Sequence, residues 1–263
     1  AQKRRKITSE PEDGMEEQFI RTAFLVGDAA LERLKRSRVI LFGVGGVGSY
    51  CAEALARAGI GTICLVDPDS VSESNINRQL VALHSTVGQN KAEVMKARIA
   101  DINPAADVTA LPMFYLPENA DSVDLSSYDI VIDAIDTVSA KIELAVRADA
   151  AGVPIISAMG AGNKLHPEML EISDLAKTEG CPLARVMRRE LRARGILHMR
   201  VVYSKEAPLP PHADYAGDVR RIPGGKRQVP GSVPFVPSAA GLLLASEAVR
   251  LLLEQEKENK DGY

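Results

Sequence analysis

The chain has 263 residues, of which 46% are hydrophobic, enough to bury the core of one substantial domain. Its 32 basic and 35 acidic residues give a net charge of -3, which excludes a global attraction to nucleic acid, so such a contact needs a local basic patch. Cys51, Cys64 and Cys181 are too scattered for a disulfide framework or a paired C-x-x-C site, so we expect no zinc and a reducing cytoplasm.

The start of the chain differs in composition from the rest. Residues 1–14 are rich in Lys, Arg, Glu, Ser and Pro and are predicted to be disordered. Residues 15–263 are predicted to form one domain. We find no apolar run that approaches the roughly 20 residues needed to cross a bilayer, so we expect no membrane association.

Helix and strand patterns alternate from residue 28 to residue 158. The predicted strands cover 38–42, 62–66, about 108–111, 130–134 and 154–158, and the predicted helices cover 28–35, 49–58, about 88–101 and about 140–151. Strands that are joined by helices pair in parallel. The pattern therefore predicts a doubly wound, mostly parallel, Rossmann-like α/β sheet.

The pattern changes after Gly160. Short strands are predicted over 170–172 and 199–203, on either side of an Arg-rich helix over 183–194, and we expect these strands to extend the sheet antiparallel. Residues 205–234 are rich in Pro and Gly and are predicted to form a long mobile loop. A packed helix over 238–253 closes the domain.

A glycine-rich turn stands between the first strand and its helix. Its glycines, in the pattern G-x-G-G-x-G, are Gly43, Gly45, Gly46 and Gly48. Such a turn lets backbone N–H groups and a helix N-terminus approach a phosphate, and Asp67 follows at the distance where dinucleotide folds bind a ribose. Alternatively, the glycines only permit close packing of helix on strand. The turn by itself does not choose between NAD and ATP.

Polar residues follow the second strand unusually densely. The cofactor-binding candidates among them are Asp69, Asn75, Arg78, Gln79 and Lys91. Cations there suit ATP chemistry, because attack on a phosphate needs its developing charge neutralised. Turn formation by Asn and Ser is the alternative. Asp136 follows a strand at the edge where α/β folds place ligands, and it either holds Mg²⁺ or caps the next helix.

Five motifs resemble, in order and spacing, the ThiF-like adenylation core shared by ubiquitin-activating enzymes and the bacterial molybdopterin and thiamine adenylyltransferases. They are G-x-G-G-x-G at 43–48, D-x-D at 67–69, N-x-x-R-Q at 75–79, G-x-x-K at 88–91 and D-x-x-D at 133–136. The resemblance implies that Asp67 binds the ribose, that Asn75, Arg78 and Lys91 surround the phosphates, and that Asp136 organises Mg²⁺. It also implies a homodimer in which Arg21 reaches the partner subunit's ATP.

Six further segments resemble the tRNA threonylcarbamoyladenosine dehydratase branch of this superfamily. They lie at 21–27, 56–61, 158–162, 174–178, 182–186 and 229–235. The resemblance implies an enzyme that uses ATP to activate the threonyl carboxylate of threonylcarbamoyladenosine in tRNA, which then cyclises with loss of water. A sulfur-transfer protein is a further partner that it leaves open.

A tRNA substrate needs a local positive surface. The candidates on the Arg-rich helix are Arg185, Arg188, Arg189 and Arg192, and a solvated helix face is the alternative. Cys181, the only cysteine outside the predicted core elements, is a weak candidate nucleophile. The histidines His84, His166, His198 and His212 have no ligand spacing and are interpreted as structural or exposed.

Two other enzyme classes remain open at this stage. An adenylyltransferase that activates the C-terminal Gly-Gly of a ubiquitin-like sulfur-carrier protein shares all the ATP chemistry, although such enzymes commonly carry the zinc-binding cysteine pairs that this chain lacks. An NAD-dependent oxidoreductase needs Arg78, Lys91 and Asp136 to be incidental. A noncatalytic nucleotide-binding scaffold is the weakest alternative.

Overall fold

The computed structural model describes residues 17–210, 212 and 230–260, with side chains up to residue 254. The segment predicted to be disordered, 1–14, lies outside the described residues, as does most of the loop predicted over 205–234. The described ends of that loop contain no helix or strand between residue 205 and residue 234.

A seven-stranded sheet forms the centre of the described fold, in the order β3-β2-β1-β4-β5-β7-β6. The strands are β1 Arg38–Phe42, β2 Thr62–Val66, β3 Asp107–Leu111, β4 Ile130–Asp133, β5 Ile155–Ala158, β6 Leu170–Asp174 and β7 Arg200–Ser204. The prediction of a doubly wound, mostly parallel sheet is confirmed. The strand order reverses between β1 and β4, and this reversal leaves a crevice at the carboxyl ends of these strands.

The extension of the sheet differs in one respect from the sequence expectation. β7 pairs parallel to β5, with Ile156 opposite Arg200, and β6 alone among the described strands runs antiparallel, with Asp174 opposite Arg200. The reason is that β6 itself runs back to the amino-terminal edge of the sheet, where Asp174 pairs with Arg200, and the connection through α6 stays at that edge until β7 begins. β7 therefore starts at the same edge as the other parallel strands.

The described residues contain seven α-helices, most of which pack on the two faces of the sheet. They are α1 Ile20–Val26, α2 Asp28–Arg36, α3 Gly48–Ala58, α4 Lys91–Ile102, α5 Val138–Ala151, α6 Pro182–Arg192 and α7 Phe235–Lys260. The predicted helix over 88–101 begins later, at Lys91, because the side chain of Asn90 accepts a hydrogen bond from the Glu93 amide and caps the helix there.

Alternate residues of the central strands pack on opposite faces. Val39 and Leu41 contact the cluster formed with α3, α4 and α7, whereas Ile40 and Phe42 contact the cluster formed with α5. Both sets are apolar because a parallel sheet is covered on both sides. α6 packs beside α5 and closes a third cluster over β7.

The last helix corrects the expectation about apolar runs. Residues Phe235–Glu254 of α7 are long and apolar enough to cross a membrane, with a mean hydropathy of 1.5, and half of this window is buried inside the fold. Leu244, Ala248 and Leu252 are buried against α3 and the sheet. The apolar character of α7 is therefore explained by its place in the core.

Gly241 allows α7 to approach the glycine-rich turn closely. A Cβ atom at this position would lie 2.2 Å from the carbonyl oxygen of Val47 and 3.0 Å from the amide nitrogen of Cys51. We expect Gly241→Ala to lower the free energy of unfolding by about 1–3 kcal/mol, because overpacking outweighs the better helix propensity of alanine.

Thermal melting checks this prediction, with Leu242→Ala as the control because Leu242 is half exposed on the same helix. If Gly241→Ala melts at or above the melting temperature of the wild type, α7 and the start of α3 are not held this close to each other.

Candidate active site

A cavity of about 440 Å³ lies at the carboxyl edge of the sheet, where the strand order reverses. We call it the switch-point cavity. Three turns that follow β1, β2 and β4 supply Gly45, Asp67 and Asp136 to its lining. The sequence-predicted residues that line it are Gly43, Gly45, Gly46, Asp67, Asp69, Arg78, Gln79, Lys91 and Asp136. Most of the candidate cofactor-binding residues therefore line one cavity.

The four glycines have packing and lining roles. A Cβ atom on Gly48 would lie 1.7 Å from the oxygen of Gly43, and one on Gly43, which has φ +88°, would lie 2.7 Å from the oxygen of Ala134. Gly43 also lines the cavity, as do Gly45 and Gly46, where a Cβ atom would meet only side-chain atoms, at 3.2 Å or more. The turn therefore combines the close packing that the sequence offered as one alternative with a place in the cavity lining.

The N-terminus of α3 follows this turn directly. Its N-cap residue, Val47, has no side-chain oxygen to accept a hydrogen bond from the first amides. The Ser49 and Cys51 amides already donate to the carbonyls of Gly45 and Val47, so the positive end of the helix dipole is what remains to attract an anion.

Asp67 fastens the glycine turn to the end of β2. One carboxylate oxygen accepts a hydrogen bond from the Val44 amide at 2.6 Å, and the other accepts one from the Asp69 amide at 2.9 Å. Burial raises the pKa of Asp67, and the two amides and the Lys91 ammonium offset only part of that effect. The carboxylate thus holds the two turns together while it lines the cavity.

Lys91 and Arg78 both bring positive charge to the cavity, but only Lys91 is paired with a carboxylate among the described residues. The buried Lys91 ammonium lies 2.9 Å from a carboxylate oxygen of Asp69, so its charge already has a partner. Arg78 donates from Nη1 to the Ser74 carbonyl and the Asn77 side-chain oxygen, both at 2.9 Å. No carboxylate pairs with it in the part of the chain that is described, and burial lowers the pKa of its guanidinium. A bound anion would supply the missing charge.

Of the two polar candidates Gln79 and Asn75, only Gln79 lines the cavity. Gln79 is 8% exposed and lines the cavity, and its Oε1 is buried without a hydrogen-bond donor among the described residues. Asn75 does not line the cavity; its side-chain oxygen accepts a hydrogen bond from the Ser72 amide at 3.1 Å and closes a capped turn. The turn-forming interpretation therefore describes Asn75 in this structure.

Asp136 stands exposed at the cavity rim. The N-cap residue of α5 is Thr137, which makes no side-chain cap, and Asp136 contacts the Thr137 hydroxyl at 3.4 Å. The structure therefore does not use Asp136 as the helix cap, which was the alternative to metal binding. Its carboxylate remains available to a ligand in the cavity.

A buried network that sequence reasoning missed fixes the turn below Asp136. Lys141 lies 2.9 Å from Asp133 and donates to the Ile135 carbonyl at 3.0 Å, and the Ser157 hydroxyl donates to Asp133 at 2.5 Å. Lys141 and Asp133 are almost fully buried. The signal in the sequence was a lysine in the mostly apolar helix that follows Asp133.

Asn163, which sequence reasoning also missed, holds another part of the cavity wall. Asn163 has φ 58°, in the left-handed region, and its side-chain oxygen accepts a hydrogen bond from the Gly231 amide at 2.6 Å. Its own amide donates to the Gly231 carbonyl at 2.8 Å. Asn77 donates to the Ser232 carbonyl at 3.0 Å from the other side. Pro230, Gly231 and Ser232 line the cavity, so these two asparagines hold part of its wall.

The remaining candidates lie elsewhere. Arg21 is exposed on α1 and does not line the switch-point cavity. Phe24 and Leu25, on the same helix, are 78% and 89% exposed. Cys181 is the N-cap residue of α6 and so lies outside the helices and strands, as expected, but it is buried, and no described cysteine lies in the cavity.

The arginines of α6 also differ among themselves. Arg188 is half-buried, and its Nη1 donates to the Leu175 carbonyl and to the carbonyl and hydroxyl of Thr178. Arg189 pairs with Glu190 at 2.8 Å. Arg185 and Arg192 are exposed and make no ion pair among the described residues. A uniform solvated face therefore does not describe Arg188, which has a structural role.

The cavity lining combines two kinds of surface. Phe42, Met113, Leu116 and Ile135 are apolar, whereas Arg78 and Lys91 carry positive charge suitable for phosphates. A ligand with a flat apolar base and a polyphosphate chain has a partner for each kind of surface.

Comparison with known proteins identifies the family to which the chain is similar. The ThiF family pattern matches residues 18–263. The chain is 46% identical to the tRNA threonylcarbamoyladenosine dehydratase of Bacillus subtilis over 241 residues, which are 90% of this chain and 95% of the relative. It is 40% identical to the Escherichia coli enzyme of the same name over 210 residues, which are 77% of this chain and 78% of that one.

Solved structures agree with the sequence comparison. The crystal structure of the E. coli tRNA N6-threonylcarbamoyladenosine dehydratase in complex with ATP superposes with a TM-score of 0.80 at 35% identity, over 92% of this chain and 96% of that chain. The match spans nearly the full length of both proteins. Together with the five ordered motifs now gathered at one cavity, it shows that the chain belongs to the ThiF family.

Proposed function

We propose that this protein is an ATP-dependent tRNA threonylcarbamoyladenosine dehydratase, which activates the threonyl carboxylate of the modified adenosine and cyclises it. The observation that carries the proposal is the convergence of Arg78, Lys91 and Asp136 with the glycine-rich turn around one cavity. Near full-length similarity to enzymes of that name supports the choice of substrate.

The reaction needs activation because oxide is a poor leaving group from a carboxylate. The threonyl carboxylate attacks the α-phosphorus of ATP, forming an acyl adenylate and releasing pyrophosphate. A carbamoyl heteroatom of the same residue then attacks the acyl carbon, AMP leaves, and a proton is lost. The nucleoside has lost one water, and ATP has become AMP and pyrophosphate.

The protein's part in this chemistry is positioning and charge neutralisation. Arg78, which has no carboxylate partner among the described residues, and the N-terminus of α3 stabilise negative charge on the phosphates. Ring closure is intramolecular and requires no enzyme nucleophile. The buried state of Cys51, Cys64 and Cys181 is compatible with that route.

Magnesium fits the acids around the cavity. Asp67 and Asp69 are engaged with backbone amides and with Lys91, which leaves Asp136 as the uncommitted carboxylate in the described lining. No group of three or more His, Cys, Asp or Glu side chains forms a metal cage in the described chain. Mg²⁺ commonly binds through one or two carboxylates plus substrate phosphates, and it would neutralise phosphate charge there.

The partners follow from the same assignment. The tRNA is the substrate, and Arg185 and Arg192, which are exposed on α6 and make no ion pair among the described residues, offer it positive charge. A homodimer would cover the exposed Phe24 and Leu25 and would bring Arg21 to the partner subunit's ATP. The proposed setting is the cytoplasm, with a sulfur-transfer protein as a further partner.

Mass spectrometry of digested nucleosides tests the proposed reaction. After incubation with ATP, Mg²⁺ and tRNA that carries threonylcarbamoyladenosine, we expect this nucleoside to lose one water, with release of AMP and pyrophosphate. Adenylylation of a small protein ending in Gly-Gly would favour the sulfur-carrier activator instead. Binding of NAD without ATP turnover would favour the oxidoreductase.

Removal of the charged groups should abolish turnover without unfolding the protein. We expect Arg78→Ala and Asp136→Ala each to lower kcat by roughly 10²–10³, because each removes a charge that stabilises the transferring phosphate. AMP release measures the loss, and thermal melting checks the fold. Arg36→Ala and Asp101→Ala, at exposed sites on α2 and α4, serve as matched controls. Full turnover in either test variant would reject its role.

The wall held by Asn163 should matter for the modified tRNA. We expect Asn163→Ala to lower kcat/KM for this substrate about tenfold, because the variant loses the hydrogen bond to Gly231 and disfavours the positive φ. Asn163→Gly keeps the backbone conformation and should lose less. Steady-state kinetics of both variants would contradict this role if both matched the wild type.

A further inference from the structure

A second cavity, of about 340 Å³, lies at the amino-terminal edge of the sheet. We call it the amino-edge cleft. Its lining consists of Leu175, Ala176, Arg188, Arg192, Ile196, Leu197 and His198. β6 ends at Asp174 and β7 begins at Arg200, which pair with each other beside this cleft. The cleft is therefore on the opposite side of the sheet from the switch-point cavity, which lies at the carboxyl ends of the strands.

Arg188 enters the lining already oriented. Its Nη1 donates to the Leu175 carbonyl at 3.1 Å and to the carbonyl and hydroxyl of Thr178, both at 2.7 Å. These partners are neutral, and no carboxylate pairs with Arg188 in the described residues. The guanidinium is thus held in place with its charge uncompensated, and its other N–H groups are not used by the described part of the protein.

Arg192 and His198 add two further polar groups. Arg192 is one helical turn beyond Arg188, exposed, and without an ion pair among the residues that the structure describes. His198 is exposed, and its Nδ1 lies 3.0 Å from a carboxylate oxygen of Asp174. When Nδ1 donates to Asp174, Nε2 remains for a ligand and donates to an anion if the ring is protonated.

The neighbouring arginines do not share this arrangement. Arg189 pairs with Glu190, and neither Arg185 nor Arg189 lines the cleft. The four arginines that the sequence grouped together therefore separate into two that line a concave site and two that do not. His198, which the sequence interpretation set aside as structural or exposed, joins the first pair.

We propose that the amino-edge cleft binds a backbone phosphate of the RNA substrate, with Arg188, Arg192 and His198 as donors. The proposal rests on the proposed function, because it takes tRNA as the partner. Arginine is well suited to phosphate oxygens, and a chain with net charge -3 needs such local sites to hold RNA. A free nucleotide fits less well, because the lining contains no Phe, Tyr or Trp on which a base could stack.

Single substitutions with a matched arginine control test the cleft. We expect Arg192→Gln and His198→Gln each to weaken tRNA binding roughly three- to tenfold and, for Arg192→Gln, to make the plot of log K against log salt shallower by about 1. Arg189→Gln, on the same helix but outside the cleft, should change affinity less than twofold. ATP affinity should be unchanged in all three variants.

Arg188→Lys replaces a residue that also holds Leu175 and Thr178, so its thermal melting is measured with its binding. If the wild type dehydrates the modified tRNA but Arg192→Gln and Arg189→Gln bind tRNA with equal affinity, the proposed role of the cleft is overturned and the proposed function stands. Absence of tRNA binding by the wild type would overturn both. A third outcome would assign the cleft to free phosphate and reject the RNA contact. In that case inorganic phosphate raises the melting temperature of the wild type but not that of Arg192→Gln, while the two proteins bind tRNA with the same affinity.

Discussion

The buried carboxylate of Asp67 is the contact on which the switch-point cavity depends. It accepts hydrogen bonds from the amides of Val44 and Asp69, and so joins the glycine-rich turn after β1 to the polar segment after β2. Burial raises the pKa of Asp67, which shows that holding a charge there is costly. Together with the hydrogen bond from the Leu80 amide to the Ser49 hydroxyl, this link holds the N-terminus of α3 next to the segment that carries Arg78 and Lys91.

Three cations near this site are satisfied to different degrees, and the difference has functional meaning. Lys141 is fully buried against Asp133 and fixes the turn that carries Asp136. Lys91 pairs with Asp69 at the cavity lining. Arg78 has only neutral partners among the described residues, so of these three cations it is the one whose charge a bound triphosphate would most directly balance. The oxygen of Gln79, buried without a donor, is a second group that the protein leaves unsatisfied at the same place.

The two cavities lie at opposite edges of one sheet, and α6 runs beside it. A small ligand could occupy only one of them, whereas a tRNA is large enough to contact both edges of a domain of this size. The amino-edge cleft would then contribute to substrate affinity without touching the reacting atoms. The lining differs accordingly: Arg78, Lys91 and several acids surround the switch-point cavity, whereas the described lining of the cleft has two arginines and a histidine and no acid.

Strand patterns, the glycine spacing and the positions of polar residues after strands are local signals, and from them the sequence predicted the parallel sheet, its helices and most of the residues that line the switch-point cavity. Tertiary structure decided which polar side chains the protein uses for itself: Asn75 closes a turn, and Arg188 is tied to Leu175 and Thr178. It alone revealed the Asn163 contact with Gly231, which joins residues 68 positions apart. It also placed β7 parallel to β5, and it brought His198 to the cleft that Arg188 and Arg192 line. Contacts between distant segments depend on how the whole chain packs, and no local pattern encodes them.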